Sequence, residues 1–208
     1  RRRKQRFDRD CNSVSEQFDY IVVGSGSAGG IIAARLSENG KHSVLCLEAG
    51  EKDENYFWSK IPAASAFLFD DSKANWRYWS EPHERHGDRP LYVPRGKILG
   101  GSSAINGMVY VRGQKQDYDH WAQLGCTGWS YEDVLPMFKR MENFDGGEDE
   151  HRGRGGPIRI TEAAKVTPFY DLVIQSAVNL GIPQNPDYNG GDQEGVAMAQ
   201  GSIHKGRR

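Results

Sequence analysis

Residues 20–29 have the sequence Tyr-Ile-Val-Val-Gly-Ser-Gly-Ser-Ala-Gly, and this stretch decides the fold of the chain. A short run rich in Ile and Val that ends in glycine predicts a buried parallel strand. Residues 31–36 predict a helix whose apolar side chains cover the sheet, and residues 43–47 predict a second strand. Together these segments predict a strand–turn–helix–strand unit of roughly 30 residues, the size expected of a dinucleotide-binding unit.

Each residue type in this motif has a physical role at such a site. Gly24 allows the chain to turn off the strand, and Gly26 allows the backbone to approach a pyrophosphate. Gly29 allows the helix to pack closely on the strands, and the N–H groups at the helix N-terminus favour a phosphate. Glu48 follows at close to the roughly 20-residue spacing expected of an acid that binds a ribose hydroxyl. Its charge disfavours NADP, whereas NAD and FAD both remain open at this point.

Composition sets limits on partners and compartment. The chain has 208 residues and a net charge of −1, so no overall field favours nucleic acid. The three cysteines lack metal or redox spacing, which indicates a reducing, cytoplasmic compartment, and Cys46 is predicted as a small core residue. No apolar run is long enough to span a bilayer. Residues 1–16 predict a disordered basic tail, which leaves peripheral membrane association open.

A second glycine motif follows an irregular, aromatic-rich stretch at residues 51–94. Gly100, Gly101 and Ser102 offer unobstructed backbone N–H groups and a hydroxyl that can surround a phosphate or a ring edge. The segment approaches the G-x-S-x-G pattern of hydrolases, but Ala104 stands where the last glycine belongs. His83 and His86 do not have the spacing of an H-E-x-x-H zinc site, so we predict no metal.

The later part of the chain contains several local signals. Ser130 begins a capping box ahead of a helix in which Pro136 should bend or disrupt the backbone. Residues 145–156 predict a solvated, mobile glycine-rich loop and the best internal boundary. A strand is predicted at 157–161 and a helix from Thr167-Pro168 to Leu180, closed by glycine.

Taken together, the two glycine motifs resemble the N-terminal part of the glucose–methanol–choline (GMC) oxidoreductase family, in its branch of choline and bacterial alcohol dehydrogenases. The positions that match the family's first signature are Gly96, Lys97, Leu99, Gly100, Gly101, Ser102, Ser103, Ile105, Asn106, Tyr110, Gly113 and Asp119.

The resemblance implies an α/β chain with a Rossmann-like three-layer FAD-binding domain around a parallel sheet, followed by the beginning of an α+β substrate domain. It thus implies an incomplete chain, with the first domain at 17–144 and the second starting at 157–208. The resemblance also implies non-covalent FAD, because Ile105 stands where some members carry a histidine that attaches the flavin. The residues expected at the cofactor are Gly24, Gly26, Ser27, Ala28, Gly29, Glu48, Ala49, Arg95, Gly100, Gly101, Ser102, Asn106, Gly107, Met108 and Val109.

The activity implied by the resemblance is oxidation of a primary alcohol by hydride transfer to the flavin, with an unknown electron acceptor. The family's catalytic histidine, and its histidine or asparagine partner, are expected beyond Arg208, so no catalytic residue is predicted within this chain. Two alternatives remain: a truncated, non-catalytic nucleotide-binding fragment, and an NAD-linked dehydrogenase.

Overall fold

A computed structural model describes residues 16–52, 56–164 and 167–208. All but the last residue of the predicted basic tail therefore lies outside the described residues. Within the part of the chain that the structure describes, every helix is too short or too polar to cross a membrane.

The N-terminal unit is the predicted strand–helix–strand motif. Strand β1 (Tyr20–Val23) lies parallel to β2 (Val44–Leu47), and helix α1 (Gly29–Ser37) connects them. The register pairs Tyr20 with Val44 at one end and Val23 with Leu47 at the other. The two strands, their parallel pairing and the connecting helix are confirmed.

The prediction that this unit is buried is wrong for much of its apolar surface. Val23 is 83% exposed and Ile21 is 62% exposed, and about half of Ile32 is accessible. Cys46, predicted as a core residue, is an exposed free thiol. The physical reason is that two strands and one helix give too few layers, among the described residues, to cover both faces of a sheet.

The chain between the two glycine motifs is largely irregular, as the sequence indicates. It contains short 3₁₀ turns, the one-turn helix α2 (Ser65–Leu68) and a hairpin of β3 (Tyr78–Trp79) with β4 (Tyr92–Val93). This stretch supplies half of the main hydrophobic cluster, and the second motif supplies the other half. The buried members of that cluster are Tyr56, Leu68, Ala74, Ile98, Ala104 and Ile105.

Two helices follow the second motif. They are α3 (Lys115–Gln123) and α4 (Tyr131–Met141), and the Tyr118 and Phe138 rings meet between them at 5.6 Å. Ser130 forms the predicted capping box. The helix continues through Pro136, so the prediction of a disruption there is wrong. Proline removes only one donor, its fixed φ suits a helix, and the packing against α3 supports the remaining turns.

Short strand pairs connect segments within the last part of the chain. Strand β5 (Glu142–Asn143) pairs in parallel with β6 (Ile158–Arg159), and β7 (Thr161–Glu162) pairs antiparallel with β8 (Gln200–Gly201). The single strand predicted at 157–161 is therefore divided at Ile160, whose side chain is buried. The predicted last helix is confirmed as α5 (Phe169–Asn179).

Candidate nucleotide-binding site

The first glycine turn brings strand β1 and helix α1 into close contact. Gly24 has a φ of +87°, and its N–H donates to the Leu47 carbonyl at 2.7 Å. A Cβ on Gly29 would overlap the Gly24 carbonyl oxygen and lie 3.3 Å from a Val22 methyl group. A helix that starts directly over the strand therefore requires glycine at position 29.

The N-terminus of α1 is not capped by its own side chains. Ala28 at the N-cap makes no side-chain capping bond, and the first turn contains no acidic residue. The first N–H groups of a helix have no partner within the helix, and its dipole favours negative charge at that end. This terminus is therefore suited to an anionic ligand.

The second glycine motif packs directly on the first. A Cβ on Gly101 would lie 2.6 Å from the Cα of Gly26, so the two backbones are in contact through glycine on both sides. The Gly100 N–H donates to the Ser25 carbonyl at 3.1 Å and the Gly101 N–H donates to the Ile98 carbonyl at 2.7 Å, so the prediction that these two N–H groups are unobstructed is wrong. The hydroxyls of Ser27 and Ser103 are 2.5 Å apart. Segments separated by more than 70 residues thus form one continuous backbone surface.

Glu48 lies beside the first turn and is held by three hydrogen bonds. Its Oε2 accepts from the Ser25 N–H at 2.8 Å and the Ser25 hydroxyl at 2.7 Å, and its Oε1 accepts from the Gly50 N–H at 2.9 Å. Partial burial acts to raise the pKa of Glu48, but the hydrogen bonds from Ser25 and Gly50 outweigh it, so the pKa lies below its ordinary value. Glu48 is thus held as a carboxylate beside the turn.

The other predicted site residues differ in accessibility. Exposed backbone or side chains are found at Ser27, Ala28, Ala49, Arg95, Asn106, Gly107 and Val109, whereas Gly101 and Met108 are buried. The Arg95 guanidinium turns back to the carbonyl of Pro94 at 2.8 Å. The Ser102 hydroxyl accepts from the Gly96 N–H at 3.1 Å. Ile105 is only 2% exposed and belongs to the core.

The turn at residues 106–109 has a strained conformation that is held from two sides. Met108 has a φ of +59°, which is unfavourable for a non-glycine residue. The Asn106 Oδ1 accepts from the Met108 N–H at 3.2 Å. The Met108 carbonyl in turn accepts from the Ser202 N–H at 2.9 Å. These contacts hold the exposed residues Asn106 and Gly107 in a fixed conformation.

A buried ionic cluster beyond this turn was not predicted. Glu142 accepts from Arg112 at 2.6 Å and from Arg152 at 2.7 Å, and the side chains of Arg152 and Glu142 are fully buried. Arg152 also pairs with Asp187 and donates to Gln200 Oε1 at 3.0 Å. The prediction of a solvated loop at 145–156 is therefore wrong for Arg152.

The charge state of this cluster follows from its contacts. Burial acts to raise the pKa of Glu142, but hydrogen bonds from Arg152 and Gly153 and the charge of Arg112 outweigh it, so the pKa is lowered. The cluster thus contains ionised partners, and it joins β5 and the predicted loop to the end of the chain.

Comparison with known proteins gives a consistent result. Residues 18–208 match the family model of GMC oxidoreductases. The chain is 46% identical over 192 residues to the oxygen-dependent choline dehydrogenase of Rhizobium etli, covering 92% of this chain and 35% of that relative. Brucella suis has an oxygen-dependent choline dehydrogenase that is 46% identical over 190 residues, 91% of this chain and 34% of that protein.

Solved structures show the same similarity. Pyridoxine 4-oxidase from Mesorbium loti superposes with a TM-score of 0.84 at 35% identity, covering 92% of this chain and 38% of that protein. An FAD-dependent oxidoreductase from Chaetomium thermophilum gives a TM-score of 0.81 at 30% identity, with coverage of 90% and 34%.

The fold and the paired glycine loops define an α/β nucleotide-binding protein. The chain belongs to the GMC oxidoreductase family and spans about a third of the length of the relatives that it matches.

Proposed function

We propose that this chain forms the FAD-binding part of a choline-dehydrogenase-like flavoprotein that oxidises a primary alcohol. The observation that carries the proposal is the backbone contact of Gly26 with Gly101 at the uncapped N-terminus of α1, beside Glu48. Two relatives support it by name, since one is a choline dehydrogenase and one is an FAD-dependent oxidoreductase.

The residues present fit a dinucleotide. A pyrophosphate at the α1 N-terminus would meet backbone N–H groups and no carboxylate from the first turn. A ribose hydroxyl would donate to the Glu48 carboxylate, which Ser25 and Gly50 already orient. The residues that we assign to FAD are Gly24, Gly26, Ser27, Ala28, Gly29, Glu48, Ala49, Arg95, Gly100, Gly101, Ser102, Asn106, Gly107, Met108 and Val109.

The chain's own residues orient and stabilise rather than move protons. Bound FAD would supply a ring that accepts a hydride from the alcohol carbon. The exposed residue Gly107, in the turn that Asn106 holds, offers a fixed backbone dipole for negative charge that develops on a nearby ligand. We assign no base for the alcohol proton within this chain. Binding is non-covalent in this proposal, because Ile105 is a buried aliphatic side chain without a nucleophile.

Two broader assignments belong to the same proposal. We assign residues 17–144 to the FAD-binding domain, with 145–156 as the connection and 157–208 as the beginning of the substrate domain. We also propose a cytoplasmic location, which the exposed free thiols of Cys46 and Cys126 support because such thiols persist under reducing conditions.

Substitution of Gly26 by alanine is the sharpest test. Its φ is not in the left-handed region, and a Cβ there would meet only the Gly101 Cα, at 3.8 Å. The fold therefore tolerates the methyl group, whereas a pyrophosphate in close approach does not. We expect about a tenfold or greater loss of FAD affinity in a titration of the apoprotein, equivalent to about 1.4 kcal/mol.

Gly30→Ala is the matched control. Its Cβ would lie 3.4 Å from the Ser25 carbonyl oxygen, an ordinary contact, and Gly30 lies in the first turn of α1, four residues after Gly26. We expect FAD affinity within about threefold of wild type. Equal FAD affinity in the Gly26→Ala and wild-type proteins would remove the phosphate-loop assignment. NAD binding without FAD binding would favour a nicotinamide-linked enzyme instead.

A further inference from the structure

The segment at residues 200–208 lies against the turn at 106–109. The Tyr110 N–H donates to the Gln200 carbonyl at 2.8 Å, and the Ser202 N–H donates to the Met108 carbonyl at 2.9 Å. His204 and Arg207 then exchange backbone hydrogen bonds of 2.9 and 3.0 Å across a tight turn. This turn reverses the chain and places Arg208 beside the second glycine motif.

The Arg208 guanidinium donates to three acceptors in two other segments of the chain. Its Nη1 donates to the Ser103 carbonyl at 2.8 Å and to the Asn106 Oδ1 at 2.6 Å. Its Nε donates to the carbonyl of Ser59 at 3.0 Å. Hydrogen bonds from a charged donor are shorter and stronger than neutral ones, and the planar fork of arginine fixes their directions.

Asn106 is the point at which this contact reaches the strained turn. Its Oδ1 accepts both from Arg208 and from the Met108 N–H. The Asn106 carboxamide, which binds the N–H of Met108, is therefore fixed by its hydrogen bond from the Arg208 guanidinium. Burial lowers the pKa of Arg208, which is the cost of desolvating this cation at a site where its three acceptors are neutral.

We propose that Arg208 is a positioning residue that fixes Asn106 and the turn at 106–109 in the conformation that faces the cofactor. The cofactor in this statement is the FAD of the proposed function, on which the proposal rests. The mechanical coupling between Arg208 and the turn is a property of the chain itself. The cation anchors the carboxamide, the carboxamide anchors the Met108 N–H, and the Ser202 N–H holds the same turn from its other side.

Hydrogen exchange on the apoprotein, produced from its own gene, tests this coupling without activity. Asn106 and Ile105 both donate their N–H to the Ser102 carbonyl, at 2.9 and 3.2 Å, so their amides report the stability of the segment. In Arg208→Gln we expect exchange at amides 105–108 to be about tenfold faster, as removal of a charged hydrogen bond predicts. Amides of α4 should change by less than about twofold.

Arg207→Gln is the matched control because Arg207 is exposed and carries the same charge one position earlier. It should leave exchange at 105–108 within about twofold of wild type. Arg208→Lys retains the charge without the planar fork, so it should give an intermediate rate. Exchange in Arg208→Gln equal to that in Arg207→Gln, or an equal increase throughout α4, would overturn the proposal.

Two further outcomes keep the test decisive. If Arg208→Gln does not fold, Arg208→Lys decides the test. Amide exchange at 105–108 at the same rate in Arg208→Lys as in the wild-type protein would then overturn the positioning role. FAD affinity of the same proteins is measured separately. Wild-type protein that fails to bind FAD contradicts the proposed function, while faster exchange at 105–108 in Arg208→Gln still supports the mechanical coupling.

Discussion

The paired glycine loops and the buried ionic cluster are both close contacts between distant segments. The loops meet through residues without side chains, whereas the cluster is built from large charged side chains. At the loops, Gly26 and Gly101 meet because neither has a side chain. At the cluster, the fully buried side chains of Arg152 and Glu142 fill the space between segments. The first arrangement leaves the N-terminus of α1 without a side-chain cap, whereas the second pairs its carboxylates with its guanidinium groups.

This difference separates a surface suited to binding from a contact that serves architecture. The N-terminus of α1 has no side-chain cap, so the N–H groups that the helix itself leaves unpaired are available to a partner. In the cluster, carboxylates and guanidinium groups are already paired with one another. Buried ion pairs add little net stability over apolar packing, but loss of one partner is costly.

Removal of Arg152 should give the largest effect. In Arg152→Met, Asp187 loses its arginine partner, and the fully buried Glu142 retains one arginine, Arg112, and the Gly153 N–H. We expect the free energy of unfolding, measured by urea denaturation, to fall by about 3–5 kcal/mol.

Arg35→Met is the control for this substitution. Arg35 pairs with Glu38 on the exposed surface of α1, where both side chains are more than half exposed. Such pairs contribute about 0–1 kcal/mol, so stability should hardly change. Similar losses in Arg152→Met and Arg35→Met would show that the cluster does not behave as a buried site.

The sequence predicts the glycine region because its signal is local. Spacing of Gly24, Gly26 and Gly29 between an apolar run and a helix predicts β1, α1 and β2 without knowledge of any distant contact. The contact of Gly26 with Gly101 is long-range, so the sequence indicates each glycine but not their meeting. The signal that could have predicted this contact is the presence of two glycine motifs in one chain, because glycine allows another backbone to approach closely.

The ionic cluster is hidden from sequence reasoning for a different reason. Arginine and glutamate are almost never fully buried unless paired, so Arg152 in a charged, glycine-rich stretch predicts a solvated loop. Burial depends on Glu142 and Asp187, which reach the same point only after β5 and the end of the chain have folded together. Exposure of Cys46 is missed similarly, because a local pattern does not reveal how many layers cover a strand.

A methyl group on Gly101 should give a smaller, localised effect. Gly101 has a φ of +55°, and its Cβ would lie 2.6 Å from Gly26, so Gly101→Ala combines backbone strain with overlap. We expect a loss of about 1–3 kcal/mol in the free energy of unfolding, together with weaker FAD binding.

Gly40→Ala separates the backbone strain from the steric overlap. Gly40 has a φ of +68° with open space around its Cβ, so this variant should lose only about 1 kcal/mol.

Neutralisation of Glu48 should give the smallest effect, and its pH dependence sharpens the comparison. The folded-state pKa is below its ordinary value, so this stabilisation is complete above the ordinary glutamate pKa of about 4.3 and is lost as the pH falls through the folded-state value. In Glu48→Gln, we expect a loss of about 1 kcal/mol or less at neutral pH, because glutamine has the same shape and its amide oxygen can still accept one of these hydrogen bonds. Urea denaturation from pH 7 to pH 3 should show that the difference from wild type shrinks in acid. A difference that grows on acidification would mean that the Ser25 and Gly50 hydrogen bonds do not favour the charged form, and would contradict the orientation of Glu48 toward a ribose.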